Sequence, residues 1–248
     1  MKRFEKKTAL ITGAASGIGR ATAMRLAGEG AAVFCLDLQE EELAETARLI
    51  LDRGGNAAAL RCDVTSEAEV KFAVSSCVEQ FGGIDNLSNI AGILRFDHFH
   101  EAALADFEQI MKVNVNGLFL MCRESIPHLL ESGGNIVNVS STSALAGVPW
   151  AGAYSASKGA VLAMTRSIAI EYVKQGMRAN CVCPGDIVTP MTSPTFPEGI
   201  DLTLMQRCMS PSGRRGPEVV AGVIAMLASD DGAHINGEYI RMDGGTLS

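Results

Sequence analysis

Short apolar runs alternate with longer amphipathic segments along nearly the whole chain, and that alternation constrains the fold more than any other feature. Thr8–Ile11, Ala32–Leu36, Ala57–Arg61, Asp85–Ser88, Asn135–Val139, Arg178–Cys183 and Tyr239–Met242 read as strands. Gly17–Gly28, Glu40–Asp52, Glu67–Phe81, Asp106–Leu130, Ala153–Gln175 and Pro217–Ala228 read as the helices between them. The strand runs are nearly all-apolar rather than alternating every second residue, which suits strands buried on both faces of a parallel sheet. The expected fold is therefore α/β, a doubly wound parallel sheet of about seven strands with helices on both faces. No repeat or linker interrupts it, so residues 1–248 read as one domain. Only Val188–Met209, with Pro190, Pro194 and Pro197, breaks the rhythm, either as a substrate-binding loop or as an ordinary surface insertion.

Composition removes several function classes. A net charge of −7 with no Lys/Arg-rich run leaves no footprint for nucleic acid or an anionic membrane surface, and points to a small-molecule partner. Seven cysteines, an odd number with no CxxC pair, read as reduced core thiols. Cys181 and Cys183 would share one face of a strand, yet nothing nearby completes a zinc site, and no metal is expected. The basic start Met1–Lys7 runs into Thr8–Thr12 rather than into a signal-peptide apolar stretch. No run approaches the roughly 18 apolar residues of a membrane span, so a cytoplasmic protein without membrane contact is expected.

Between the first strand and the first helix lies Thr12-Gly13-Ala-Ala-Ser16-Gly17-Ile18-Gly19. Glycines there let the backbone turn tightly and approach a diphosphate, with the N–H groups of the helix start facing the anion. The spacing is GxxxGxG rather than GxGxxG, but the strand–loop–helix context is that of a Rossmann-type dinucleotide site. Asp37 closes the second strand, where a carboxylate accepts hydrogen bonds from ribose hydroxyls and repels a 2′-phosphate. Leu38 and Gln39 follow it and no Arg lies in the glycine loop, so NAD is expected rather than NADP. The alternative is that Asp37 merely caps the next helix.

Further motifs complete a pattern. Cys62-Asp63-Val64, Asn89-Ile-Ala91-Gly92, Val113-Asn114-Val-Asn-Gly117, Val139-Ser140-Ser141, Tyr154-Ser-Ala-Ser-Lys158 and Pro184-Gly185-Asp-Ile187-Val-Thr189 follow the glycine loop in order. Together they resemble the short-chain dehydrogenase/reductase family over nearly the whole chain. The resemblance implies that Asp63 and Val64 border the adenine and that Asn89, Ala91 and Gly92 line the adenosine side. It places Pro184, Gly185, Ile187 and Thr189 at the nicotinamide end. It makes Asn114, Ser141, Tyr154 and Lys158 a catalytic tetrad, with Asn114 holding a water that links Lys158 to solvent. Ser140 competes with Ser141; Ser141 is preferred because it lies thirteen residues before Tyr154. Ile90 stands where the family usually has a second Asn. The resemblance also implies a homotetramer built through the two long helices and the C-terminal segment.

Tyrosine is a poor base at neutral pH, with a reference pKa of ~10, and a nearby cation favours its phenolate. Tyr154 and Lys158 are four apart in a helical segment and share a face. Ser141 would steady charge on the substrate oxygen. The expected activity is NAD(H)-dependent interconversion of a secondary alcohol and a ketone. A catalytically idle NAD-binding sensor or scaffold and an NAD-retaining epimerase or dehydratase are the alternatives. Leu94–Phe96, Ala144–Trp150 and the 188–209 segment should form a largely apolar substrate pocket, with Leu145, Val148, Trp150, Met191, Phe196, Leu204 and Met205 in it. Arg95, His98 and Arg207 are the competing signal for an anionic group.

Overall fold

Every strand lies beside a neighbour running the same way, in the order β3-β2-β1-β4-β5-β6-β7. The strands are β1 Thr8–Thr12, β2 Ala32–Asp37, β3 Asn56–Arg61, β4 Asn86–Asn89, β5 Asn135–Val139, β6 Arg178–Pro184 and β7 Tyr239–Met242. The computed structural model describes residues 2–192 and 195–248; Pro194 of the 188–209 segment lies outside them.

The apolar runs become strands because their side chains leave both faces at once. In β1, Leu10 joins one apolar core while Ala9 and Ile11 join the other, and in β6 Cys181 and Cys183 part from Val182 in the same way. Helices α3 (Glu67–Phe81), α5 (Leu118–Ser132) and α6 (Gly152–Tyr172) close the first core through Val70, Met121, Val161 and their neighbours. Helices α1 (Gly17–Gly28), α2 (Glu40–Leu51) and α7 (Glu218–Ala228) close the second through Leu26, Leu43 and Ile224. The result is a doubly wound Rossmann-type sheet. All seven cysteines carry free thiols.

One expected helix is not continuous. The segment read as Asp106–Leu130 begins as α4 (Leu104–Met111), passes through a π-helical stretch at Lys112–Gly117, and resumes as α5. Two tertiary demands coincide with the break. The Asn114 side chain bonds both backbone groups of Ile93, and Gly117 faces Val64 so closely that a Cβ would lie 2.7 Å from its Cγ2. The segment read as Ala153–Gln175 is α6 followed by a 3-10 turn at Val173–Gln175.

The chain order reverses between β1 and β4, so the crevice at their carboxyl ends is the topological switch point where such folds bind ligands. The loops that follow these two strands are the glycine loop and Ile90–Gly92.

Candidate active site

The two loops at the switch point are fitted to each other. Thr12 Oγ1 accepts hydrogen bonds from the backbone of Ile90 at 3.0 Å and of Ala91 at 3.1 Å. Gly13 has φ +69°, and a Cβ on it would lie 2.8 Å from the Ala91 nitrogen, so only glycine allows this approach. A Cβ on Gly19 would lie 1.9 Å from the Gly13 carbonyl oxygen. Helix α1 starts immediately over the loop with no side-chain cap and no acid in its first turn, leaving its positive end open.

From this floor a cavity of about 370 Å³ runs in both directions. Gly13, Ser16, Gly17, Ile18 and Gly19 form its middle with Ala91 and Gly92, where the loops after β1 and β4 meet, and Asp37, Leu38, Asp63 and Val64, after β2 and β3, form its outer end. Asp37 Oδ2 accepts from Ala15 N at 3.0 Å and Oδ1 from Gln39 N at 3.1 Å. The carboxylate therefore ties the glycine loop to the start of α2 and still has lone pairs for a further donor. Arg20, the first cation after the glycine loop, donates to Thr46 Oγ1 and the Glu42 carbonyl.

Ser141, Tyr154, Lys158, Pro184, Gly185, Ile187 and Thr189 line the inner end. Ser140 and Ser141 both line the cavity but have different partners. Ser140 is buried and its hydroxyl donates to the Lys158 carbonyl at 2.8 Å, whereas Ser141 hydrogen-bonds the Tyr154 side chain. Lys158 Nζ donates to the Val139 carbonyl at 2.8 Å and lies 5.6 Å from the centre of the Tyr154 ring. Burial pushes the Tyr154 hydroxyl up to about 12, against the pull of the Ser141 hydrogen bond, and the Cys183 thiol adds to the rise. Burial pushes Lys158 down to about 8. In the protein alone, desolvation thus favours the neutral form of both groups.

Two expected site residues, Asn89 and Asn114, are not among those that line the cavity. Asn89 is buried in β4 with its amide donating to Asn138 Oδ1 at 3.0 Å and to Cys122 Sγ, so its side chain braces β5 and α5 rather than the cavity. The Asn114 side chain accepts from Ile93 N at 2.8 Å and donates to the Ile93 carbonyl and to Ser157 Oγ, both at 3.0 Å. Both N–H groups of its amide are engaged and hold the loop after β4 against α6, while Oδ1 keeps a second lone pair. Gly92 keeps the space beside it: a Cβ there would lie 3.1 Å from Asn114 Oδ1 and 3.4 Å from Lys158 Nζ.

A family model described as enoyl-(acyl carrier protein) reductase matches residues 13–246. A short-chain type dehydrogenase/reductase from Mycobacterium marinum superimposes with a TM-score of 0.90 at 31% identity, over 98% of this chain and 96% of that one. The chain belongs to the short-chain dehydrogenase/reductase family. Its relatives in that family include 2-(R)-hydroxypropyl-CoM dehydrogenase of Xanthobacter autotrophicus, 40% identical over 96% of this chain and 97% of the relative. A 3-ketoacyl-(acyl-carrier-protein) reductase from Brucella melitensis, solved in complex with NADH, matches with a TM-score of 0.90 at 34% identity, over 99% of this chain and 100% of that one. Family members of this kind are oxidoreductases of alcohols and ketones that bind a nicotinamide cofactor.

The residues present fit such a dinucleotide: the glycine floor leaves room a Cβ would fill, α1 presents its positive end, and Asp37 faces the outer end. The cavity also draws in Cys62, Ile90, Ile93, Gln109, Val113, Pro190 and Met191, none of them foreseen as cofactor contacts. Gln109 and Val113 sit one turn apart at the π-helical break, a spacing that no motif marks. Ile90 had a signal, as the departure from the family's Asn. Among the described residues no cluster of three metal-ligating side chains occurs, and no helix is long and apolar enough to cross a membrane.

Proposed function

We propose that the chain is an NAD(H)-dependent oxidoreductase that interconverts a secondary alcohol and a ketone, with Tyr154 as general acid and base. The observation that carries this reading is the meeting of Ser141, Tyr154 and Lys158 on one wall at the inner end of the cavity. The nicotinamide, when bound, supplies or accepts the hydride. On reduction the Tyr154 hydroxyl gives its proton to the oxygen that is becoming an alkoxide; on oxidation the phenolate takes the alcohol's proton. Ser141 donates to the same substrate oxygen and steadies its charge. Lys158 lowers the cost of the phenolate, offsetting the burial that holds Tyr154 protonated. Asp37, with Leu38 and Gln39 behind it and Arg20 engaged elsewhere, favours NAD over NADP. NAD preference in turn suits the oxidative direction.

The same reading takes residues 1–248 as one catalytic domain, with 188–209 as its substrate-binding loop, acting as a homotetramer. Seven free thiols suit a reducing, cytoplasmic setting.

The test is NADH formation from NAD, with NADP in parallel, over a panel of secondary alcohols, hydroxy acids, polyols and steroids. Tyr154→Phe should bind NAD normally and lose roughly 10²–10⁴-fold in turnover, the usual worth of a positioned acid or base. Equal turnover by Tyr154→Phe would remove Tyr154 from the mechanism. NAD binding with no redox chemistry on any substrate would favour the sensor reading.

A further inference from the structure

The cavity shares Ser16, Gln39, Gly92, Ile93, Pro190 and Met191 with a groove that lies between the loop after β4 and residues 190–191 and 195–197. Its walls include Ile93, Phe96, Met191, Phe196 and Pro197. Phe96 is 8% exposed, and its ring meets that of Phe196 with centroids 4.8 Å apart and planes tilted by 38°. A second contact fastens the same two segments, His98 Nε2 to the Glu198 carbonyl at 2.9 Å. A third ties this loop to the turn that leads into the helix carrying Tyr154: Asp97 N donates to the Trp150 carbonyl at 2.9 Å, with Trp150 held at φ +60°. A tryptophan keeps so uncommon a conformation only where its surroundings enforce it.

The cations that would receive an anionic substrate are not available. Among the described residues, Arg95 is the one Lys or Arg on the groove. Its Nε reaches both oxygens of Asp97, at 2.9 and 3.1 Å, and one terminal nitrogen reaches Asp106 at 2.9 Å. One cation against two carboxylates leaves this cluster with a net negative charge. Arg207 lies on the 3-10 turn Leu202–Cys208, off the groove walls, and His98 is engaged with Glu198.

We propose that the Phe96–Phe196 pair forms the wall against which the non-reacting part of the substrate packs, and that the groove selects neutral, apolar carbonyl compounds and their alcohols over anionic ones. This rests on the alcohol–ketone reading of the site. The aromatic pair supplies the apolar surface, and the Arg95–Asp97–Asp106 cluster supplies the repulsion; a selective site uses both. Apolar pockets distinguish substrates by about 10–200-fold for each methylene, so loss of a whole ring should be plainly measurable.

Two probes of equal chain length separate the terms: 2-octanone, which is neutral, and 7-oxooctanoate, its carboxylate counterpart. Trp150, the chain's single tryptophan, reports binding by its fluorescence in the NAD-loaded protein, where a ketone cannot turn over. The expected result is 2-octanone bound at least about tenfold more tightly than 7-oxooctanoate. Phe96→Ala and Phe196→Ala should each lose most of that preference. Phe96→Leu and Phe196→Leu, which keep apolar volume, should retain an intermediate share and guard against misfolding, with NAD affinity as the control. Asp97→Asn with Asp106→Asn should raise affinity for 7-oxooctanoate. Unsaturable 2-octanone binding, equal or tighter binding of the keto acid, or Phe variants indistinguishable from wild type would overturn the proposal. Turnover assays with NADH separate the two readings. Preferential binding without turnover sinks the catalytic reading and leaves the groove; turnover without preference does the reverse.

Discussion

Lys158 is a buried cation with a backbone carbonyl for a partner, and among the described residues no carboxylate lies within ion-pair range of it. Such a charge is costly, and its sign of pH dependence follows from the depressed proton affinity. Folded Lys158 loses its proton near pH 8, and the unfolded chain's lysine near 10.5. Below pH 8 both states are charged and the folded state carries the whole penalty, about 3 kcal/mol from the size of the shift. Between the two values the unfolded state binds more protons, so stability rises with pH until the penalty is gone. Lys158→Met should therefore be more stable than wild type at pH 7, by about 1–2 kcal/mol once the lost bond to Val139 is allowed for. By pH 9.5 the gap should have closed. Urea denaturation at both values checks this, and a gap independent of pH would mean that the lysine is not held charged against burial. That Ser141, Tyr154 and Lys158 line one cavity was legible because motif spacing carries them. The engagement of Asn114 with Ile93 and Ser157 was not, since those contacts span 21 and 43 residues.

At the scale of elements, the hydrophobic pattern located all seven strands because each must be apolar on both faces. It placed their ends only to within a residue or two, as for β4, read as Asp85–Ser88 and found at Asn86–Asn89. The π-helical break at Lys112–Gly117 left no trace in that pattern. An extra residue in one helical turn barely disturbs a 3.6-residue period, and the demand for it comes from Ile93 and Val64, far away in sequence. The glycine loop shows the same division between local and distant causes. Gly13 and Gly82 both have positive φ, but a Cβ at Gly82 would meet nothing within 4 Å. Gly82→Ala should cost about 1 kcal/mol of conformational strain and leave cofactor binding intact. Gly13→Ala adds a clash with the Ala91 backbone and must part the loops after β1 and β4. It should weaken NADH binding by more than about tenfold, with a stability loss of about 2–4 kcal/mol. Fluorescence titration with NADH and denaturation of both variants measure the difference. Equal cofactor affinity in the two would show that the loops do not need their close approach.

At the scale of the whole molecule, the remaining question is what covers the outer face of the helices around the π-helical break. Leu104 and Phe107 on α4, Phe119 on α5 and Ile170 on α6 are all exposed, Leu104 at 70% and Ile170 at 76%. Scattered apolar residues are normal on a surface, but several large ones on three helices that share one side of the sheet are a signature of association. At one end of the sheet β7, among the described residues, pairs with β6 alone and is an edge strand. Neither feature was visible in the composition, because amphipathic helices spend most of their apolar residues on the core and the pattern does not label the surplus. A stable interface hides about 800 Å² on each partner, an area that several such side chains and their surroundings can supply. Light scattering after size-exclusion chromatography should give a mass that is a multiple of the chain's own. Leu104→Lys combined with Ile170→Lys should shift it to a smaller species while NAD binding survives, because neither side chain lines the cavity. Since closed symmetry repeats each contact, each substitution places two charges in any two-fold interface it touches, which desolvation makes costly. A wild-type chain that stays monomeric at micromolar concentration would leave these apolar side chains without a partner and reject the homotetramer.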